Sequence, residues 1–161
     1  YALSLPIPEY GKILDRSTAY SLGLLGSIAV GNARGSVRRA LKYAGERYQG
    51  GDIIINLPLI QGMLGEMAAI VKSAGACVEQ ALAAPSEGSH VGLYLAKAYA
   101  TRAGERVCQD SVQIFGGYGY MREYGVEKHM RDSKMLCTIG ESNLRIFQRA
   151  IRDMKEAEDW I

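Results

Sequence analysis

The sequence predicts an all-α fold, an up-down four-helix bundle with one additional, shorter helix. Three observations carry this. Apolar residues recur at helical spacing, most cleanly at Ile60, Met63/Leu64, Met67, Ile70/Val71, Ala74, Cys77/Val78 and Ala81/Leu82. Glycine- and proline-rich breaks between the periodic segments are short, so consecutive helices must run antiparallel. Only residues 52–56 offer a strand pattern.

Taken in order, residues 1–15 read as a lead-in, extended over 1–11 because Pro6 and Pro8 lie too close together for regular helix. A first helix is expected from Ser17 or Thr18 as N-cap to about Tyr48, ended by Gly50-Gly51. Its Gly23, Gly26, Gly31 and Gly35 would each cost about 1 kcal/mol against Ala on an exposed helix, so they are read as points of close helix approach. Asn56 is the expected cap of the second helix, with Pro58 in its first turn. Residues 85–89 form the next break. A third helix runs from about Val91 into the glycine stretch, and a fourth ends near Met135 with Glu127 and Arg131 as an i,i+4 pair. The last begins near Asn143 and turns Leu144, Ile146/Phe147, Ala150/Ile151 and Met154 inward.

Composition narrows the function. A chain of 161 residues can be one domain with a real core, and 48% apolar with 22% charged residues is the balance of a soluble globular protein. A net charge of +2, with basic residues scattered among acids, argues against a nucleic acid or an anionic membrane as partner. No apolar run reaches the length of a membrane span. Cys77, Cys108 and Cys137 are odd in number and widely spaced, and only His90 and His129 could join them. They read as reduced, partly buried thiols of an intracellular protein, not a disulfide frame or metal site. The chain starts at Tyr1 with no signal pattern and is read as part of a longer polypeptide.

Two stretches point to chemistry. Gln113-Ile114-Phe115-Gly116-Gly117-Tyr118-Gly119-Tyr120 sets three glycines among aromatics, where bare backbone N–H groups can approach a ligand. With the following residues it reads QIFGGYGYMREYGVEKHMRDSK, which resembles the Q-x-x-G-G-x-G-Y…E…R-D-A-K signature of the acyl-CoA dehydrogenase flavoprotein family. The stretch KYAGERYQGG resembles that family's KYAxERxQFG motif, in which the Arg and Gln reach the diphosphate and adenine half of the flavin across a subunit interface. Taken alone, an Arg in a last helical turn needs no such explanation.

The resemblance covers roughly residues 15–150 and implies the family's C-terminal helical domain. It implies FAD as cofactor, an acyl-CoA substrate undergoing α,β-dehydrogenation, an electron-transfer acceptor and a homodimer or homotetramer. The implied compartment is the cytoplasm, or the mitochondrial matrix in a eukaryote. Carried over by residue, Arg47, Gln49, Gln113, Gly116 and Gly117 bind FAD, and Ser142 matches a cofactor-contacting Thr. Gly50 stands where the family has Phe, so an aromatic contact to the cofactor is missing.

The family's base is most often the Glu of a Tyr-Glu-Gly-Thr segment. Aligned without gaps, that segment is Ile139-Gly140-Glu141-Ser142, which sets Gly140 at the base position and Glu141 one residue later. One residue re-aims a side chain by about 100° on a helix, and the adjacent glycine allows a backbone that turns it back. Glu141 is the expected base, with capping of the last helix as its alternative role. Two other readings stay open: a catalytically silent family member, and a helical oligomerisation or interaction module. The chain alone is expected to bind flavin poorly and to be inactive.

Overall fold

Five helices and one short hairpin make up the computed structural model, which describes residues 7–83 and 90–157. They are α1 (Ile7–Glu46), α2 (Pro58–Ala83), α3 (Val91–Phe115), α4 (Val126–Leu136) and α5 (Asn143–Ala157). The break expected at residues 85–89 lies outside the described residues.

α1 is longer at its start than the sequence suggests. It begins at Ile7, so Pro8 sits in the first turn, where its missing N–H belongs to a group that has no intrahelical acceptor anyway. Ser17 and Thr18 are therefore interior residues, and both hydroxyls donate to the Leu14 carbonyl (2.9 Å each) instead of capping. The expected extended lead-in is overturned from residue 7 onward.

α3 is the central element and packs against each of the other four helices. It meets α1 along a seam of small side chains: Ala29, Ala33 and Ala40 on one side, Ala96, Ala100 and Gly104 on the other. A Cβ at Gly104 would stand 3.2 Å from the Ala29 carbonyl oxygen, and one at Gly26 would stand 3.4 Å from Lys97 Cα. Gly23 and Gly35 are equally tight against Leu93 and His129, but Gly31 faces open space, so close approach does not explain it. α2 completes the main core with Leu64, Met67, Val71, Ala74 and Val78. Met67 is fully buried, which contributes about 1.5–3 kcal/mol. A second cluster joins Ala19 and Leu22 of α1, Leu93, Tyr94 and Ala98 of α3, and Ile146 of α5.

Tyr48–Gln49 (β1) and Asp52–Ile53 (β2) pair antiparallel, Tyr48 opposite Ile53 and Gln49 opposite Asp52. Gly50 and Gly51 form the two-residue turn with φ of 69° and 95°, angles that favour glycine and suit a tight hairpin. The ladder extends one pair beyond the strands, where the Ile54 amide donates to the Arg47 carbonyl at 2.8 Å. Asn56 does not take the expected place of a helix cap. It closes a short 3₁₀ turn, and its amide donates to Asp52 Oδ1 at 3.0 Å. All three cysteines are free, and among the described residues no group of three His, Cys, Asp or Glu could hold a metal ion. No described helix is long and apolar enough to cross a membrane.

Candidate functional site

The end of α1, the hairpin and the C-terminal end of α3 enclose a cavity of about 670 Å³. Arg47, Gln49, Gln113, Gly116 and Gly117 all line it, although residues 47 and 113 are far apart in sequence. Gly50 lines it too, so the position where the family has Phe is part of the wall. Its φ of 69° explains why no aromatic stands there: a side chain would be strained in the hairpin turn.

Aromatic rings form the floor. Tyr43 stacks on Phe115 with centroids 4.1 Å apart, and Tyr118 and Tyr124 extend the cluster edge-on or tilted. The Arg47 guanidinium lies over the Tyr118 ring, 5.2 Å from its centroid. Its Nε is buried with no hydrogen-bond partner, and no carboxylate among the described residues pairs with it. A buried guanidinium donor without an acceptor is costly unless a ligand supplies one. Tyr43 is held protonated above the ordinary tyrosine range, first by burial and against the pull of Arg47.

The three glycines of the bend do different work. Gly116 ends α3 with φ 58°, and a Cβ at Gly116 or Gly117 would meet no protein atom within 4 Å. At Gly119 a Cβ would fall 2.5 Å from the Val112 carbonyl oxygen, so that glycine serves packing.

Glu141 and Ser142 do not join this cavity. They lie in the connection between α4 and α5, which the first and third helices back. Gly140 has φ 75°, and the Glu141 amide donates to the Ile139 carbonyl at 2.9 Å across it, the geometry of a γ-turn. A Cβ at position 140 would come 2.8 Å from Leu25 Cδ1 and 3.2 Å from Leu22 Cδ2. A side chain at the gap-free base position would be strained and would have to displace Leu25 and Leu22, and the carboxylate is carried by the next residue, Glu141. Its Oε2 is 3.8 Å from Arg149 Nη1, and Arg149 also reaches Asp15 (3.2 Å) and covers the Tyr94 ring. The cap of α5 falls to Ser142, whose Oγ accepts from the Arg145 amide at 3.5 Å and whose carbonyl accepts from the Ile146 amide.

Comparison with known proteins gives the family. The profile described as "Acyl-CoA dehydrogenase, C-terminal domain" matches residues 19–154. A cyclohex-1-ene-1-carbonyl-CoA dehydrogenase of Syntrophus aciditrophicus is 38% identical over 128 residues, which is 73% of this chain and 31% of that protein. The CarC subunit of the caffeyl-CoA reductase–Etf complex of Acetobacterium woodii is 35% identical over 142 residues, 83% of this chain and 36% of its own. The chain thus spans about a third of the length of these relatives. Butyryl-CoA dehydrogenase from Megasphaera elsdenii superposes with a TM-score of 0.81 at 29% identity, covering 91% of this chain and 38% of that one. A profile match across most of the chain, on a fold shared with solved members, leaves one assignment: this chain belongs to the acyl-CoA dehydrogenase family and is its C-terminal domain.

Proposed function

We propose that this chain is the C-terminal domain of a longer FAD-dependent acyl-CoA dehydrogenase, 1–161 forming one helical domain. In that role it contributes to the α,β-dehydrogenation of an acyl-CoA thioester. The carrying observation is the convergence of five motif residues on one cavity that holds an unpaired, buried arginine donor. A guanidinium in that state suits a diphosphate, which accepts two parallel N–H bonds. Gln49 and Gln113 add amides, the bends at Gly116 and Gly117 leave room for close backbone approach, and the aromatic floor suits a flat purine. The residues present fit the dinucleotide half of FAD. When bound, FAD accepts the β-hydrogen of the substrate as hydride.

Glu141 has a different task. Its carboxylate would take the α-proton of the thioester, so it must face a substrate and flavin ring, and the cavity holds neither Glu141 nor Ser142. One domain would then serve two sites, the dinucleotide arm of a neighbouring copy at the Arg47 end and the reacting centre at the Glu141 end. That arrangement requires at least a homodimer. An electron-transfer protein would reoxidise the flavin, and the compartment would be cytoplasmic or the mitochondrial matrix.

The test uses the full-length polypeptide with a panel of acyl-CoA thioesters. Bound flavin bleached by one of them anaerobically is expected, as is flavin loss in Arg47→Ala and slow bleaching with retained flavin in Glu141→Gln. A colourless wild-type protein would refute the reading. A coloured one that no thioester bleaches would favour the silent family member.

A further inference from the structure

Lys97 is the one Lys, Arg, Asp or Glu among the described residues that is fully buried, and nothing in the proposed reaction uses it. A lysine ammonium out of water is expensive unless its protons are all accepted. Lys97 Nζ donates to the Glu141 carbonyl at 2.8 Å, to Asn143 Oδ1 at 3.0 Å and to the Cys137 carbonyl at 3.5 Å. Three donors meet three acceptors, two of them carbonyls of the connection between α4 and α5 and the third the side chain of Asn143, the first residue of α5. Cys137 lies at the C-terminus of α4, where a cation is favoured by the helix dipole. Burial pulls the Lys97 ammonium below the ordinary lysine range, while Cys137 and Glu141 pull it back.

The main chain that carries Lys97 is held in place. α1 packs directly on its backbone at Gly26, and one turn further on Thr101 bonds the Lys97 carbonyl at 2.9 Å. Thr101 also receives the Asn143 amide at 2.9 Å, so α3 grips this stretch twice. The loop in turn contains a positive-φ glycine immediately before Glu141, a residue whose backbone freedom does nothing by itself to fix the Glu141 main chain.

Resting on the reading of Glu141 as the base, we infer that Lys97 is a positioning residue: a buried ammonium peg that sets the main chain of Glu141, and through it the reach of the carboxylate toward the substrate. It acts on the base and not on the cofactor, because the peg and the Arg47 cavity share no residue.

The experiment is a double-mutant cycle on the full-length flavoprotein, with anaerobic flavin bleaching by acyl-CoA as readout. Lys97→Met keeps the apolar stem and removes the donors. It is expected to slow bleaching by about ten- to a hundredfold, the scale of a base displaced by about 1 Å, with flavin content unchanged. In the Glu141→Gln background the same change is expected to cost less than about twofold, since the group it positions is already gone. An equal loss in both backgrounds, or a wild-type rate in Lys97→Met, overturns the inference. Asn143→Ala, which removes one acceptor and leaves the lysine, serves if Lys97→Met does not fold, and the same two-background comparison decides it. Amide hydrogen exchange reads the peg without turnover. Exchange over residues 137–143 is expected to quicken in Lys97→Met while residues 113–118 stay unchanged, and no change at 137–143 overturns the inference. If the wild-type flavoprotein is not bleached by any thioester but exchange responds as expected, the dehydrogenase reading falls and the peg stands.

Discussion

Gly117→Ala and Gly119→Ala place the same methyl group two residues apart and should do opposite things. At Gly119 the new Cβ would sit 2.5 Å from the Val112 carbonyl oxygen and 3.1 Å from Val112 Cα, both backbone atoms of α3. Neither can swing aside, so the bend must lift off the helix end. Overpacking of this kind costs about 1–3 kcal/mol, which lowers Tm by about 2–12 °C for a chain of this size. At Gly117 the Cβ meets no protein atom within 4 Å, and φ there is not positive. Stability should hold or rise by about 0.4–1 kcal/mol, because the unfolded chain loses more freedom than the native one. The flavin readout reverses the order. Gly117 lines the cavity, so its methyl group narrows the space for a ligand, and flavin content in the full-length protein should fall without a loss of melting temperature in the 161-residue chain. Thermal melts by circular dichroism and flavin-to-protein ratios settle both points. Equal destabilisation by the two substitutions would refute the division of labour among these glycines, as would full flavin content in Gly117→Ala.

Two further outcomes follow from the α4–α5 region. Gly140→Ala combines a left-handed φ with a Cβ 2.8 Å from Leu25 Cδ1, so a loss of about 2–4 kcal/mol in chemical denaturation is expected, and a neutral result would count against the wedged turn. His129 accepts at Nε2 from Arg39 Nε (3.1 Å), which leaves its proton on Nδ1 to be donated to Asn32 Oδ1 (2.7 Å). Burial first, then Arg39, holds this imidazole below the ordinary histidine range. The unfolded chain therefore binds the proton sooner as pH falls, and the stability from neutral His129 is complete above about pH 6.5 and is lost on acidification through the lower native value. The gap in urea midpoint between wild type and His129→Gln should shrink from about pH 8 to about pH 5. Parallel curves would remove His129 from the acid response.

Much of the architecture was legible because it follows from local rules. The 3.6-residue recurrence of apolar side chains in α2, the glycine stop after Phe115 and the start of α5 near Asn143 are properties of neighbouring residues, and each appears where the pattern puts it. Leu144 and Ile151 of α5, expected inward, are nevertheless exposed, and only Ile146, Ala150 and Met154 are buried. The beginning of α1 was misread because proline is forbidden only where an N–H is needed, and the first turn does not need one. Residues 50–51 were read as a helix stop and prove to be a hairpin turn as well, a distinction that rests on pairing with residues 52–53.

The resemblance carried by the two motifs supplied the candidate flavin-contacting residues, yet neither spacing nor periodicity could say that Arg47 and Gln113 share one cavity. That depends on how α1 and α3 cross, which the small residues at Ala29, Ala33 and Gly104 permit only once the helices are packed. Lys97 marks the limit most clearly. In sequence it is one lysine among alanines on a helix, but burial and three acceptors some forty residues on turn it into a fixed point. Local order is encoded by near neighbours in the chain, whereas the environment of a charge is set by groups that only the folded bundle brings beside it.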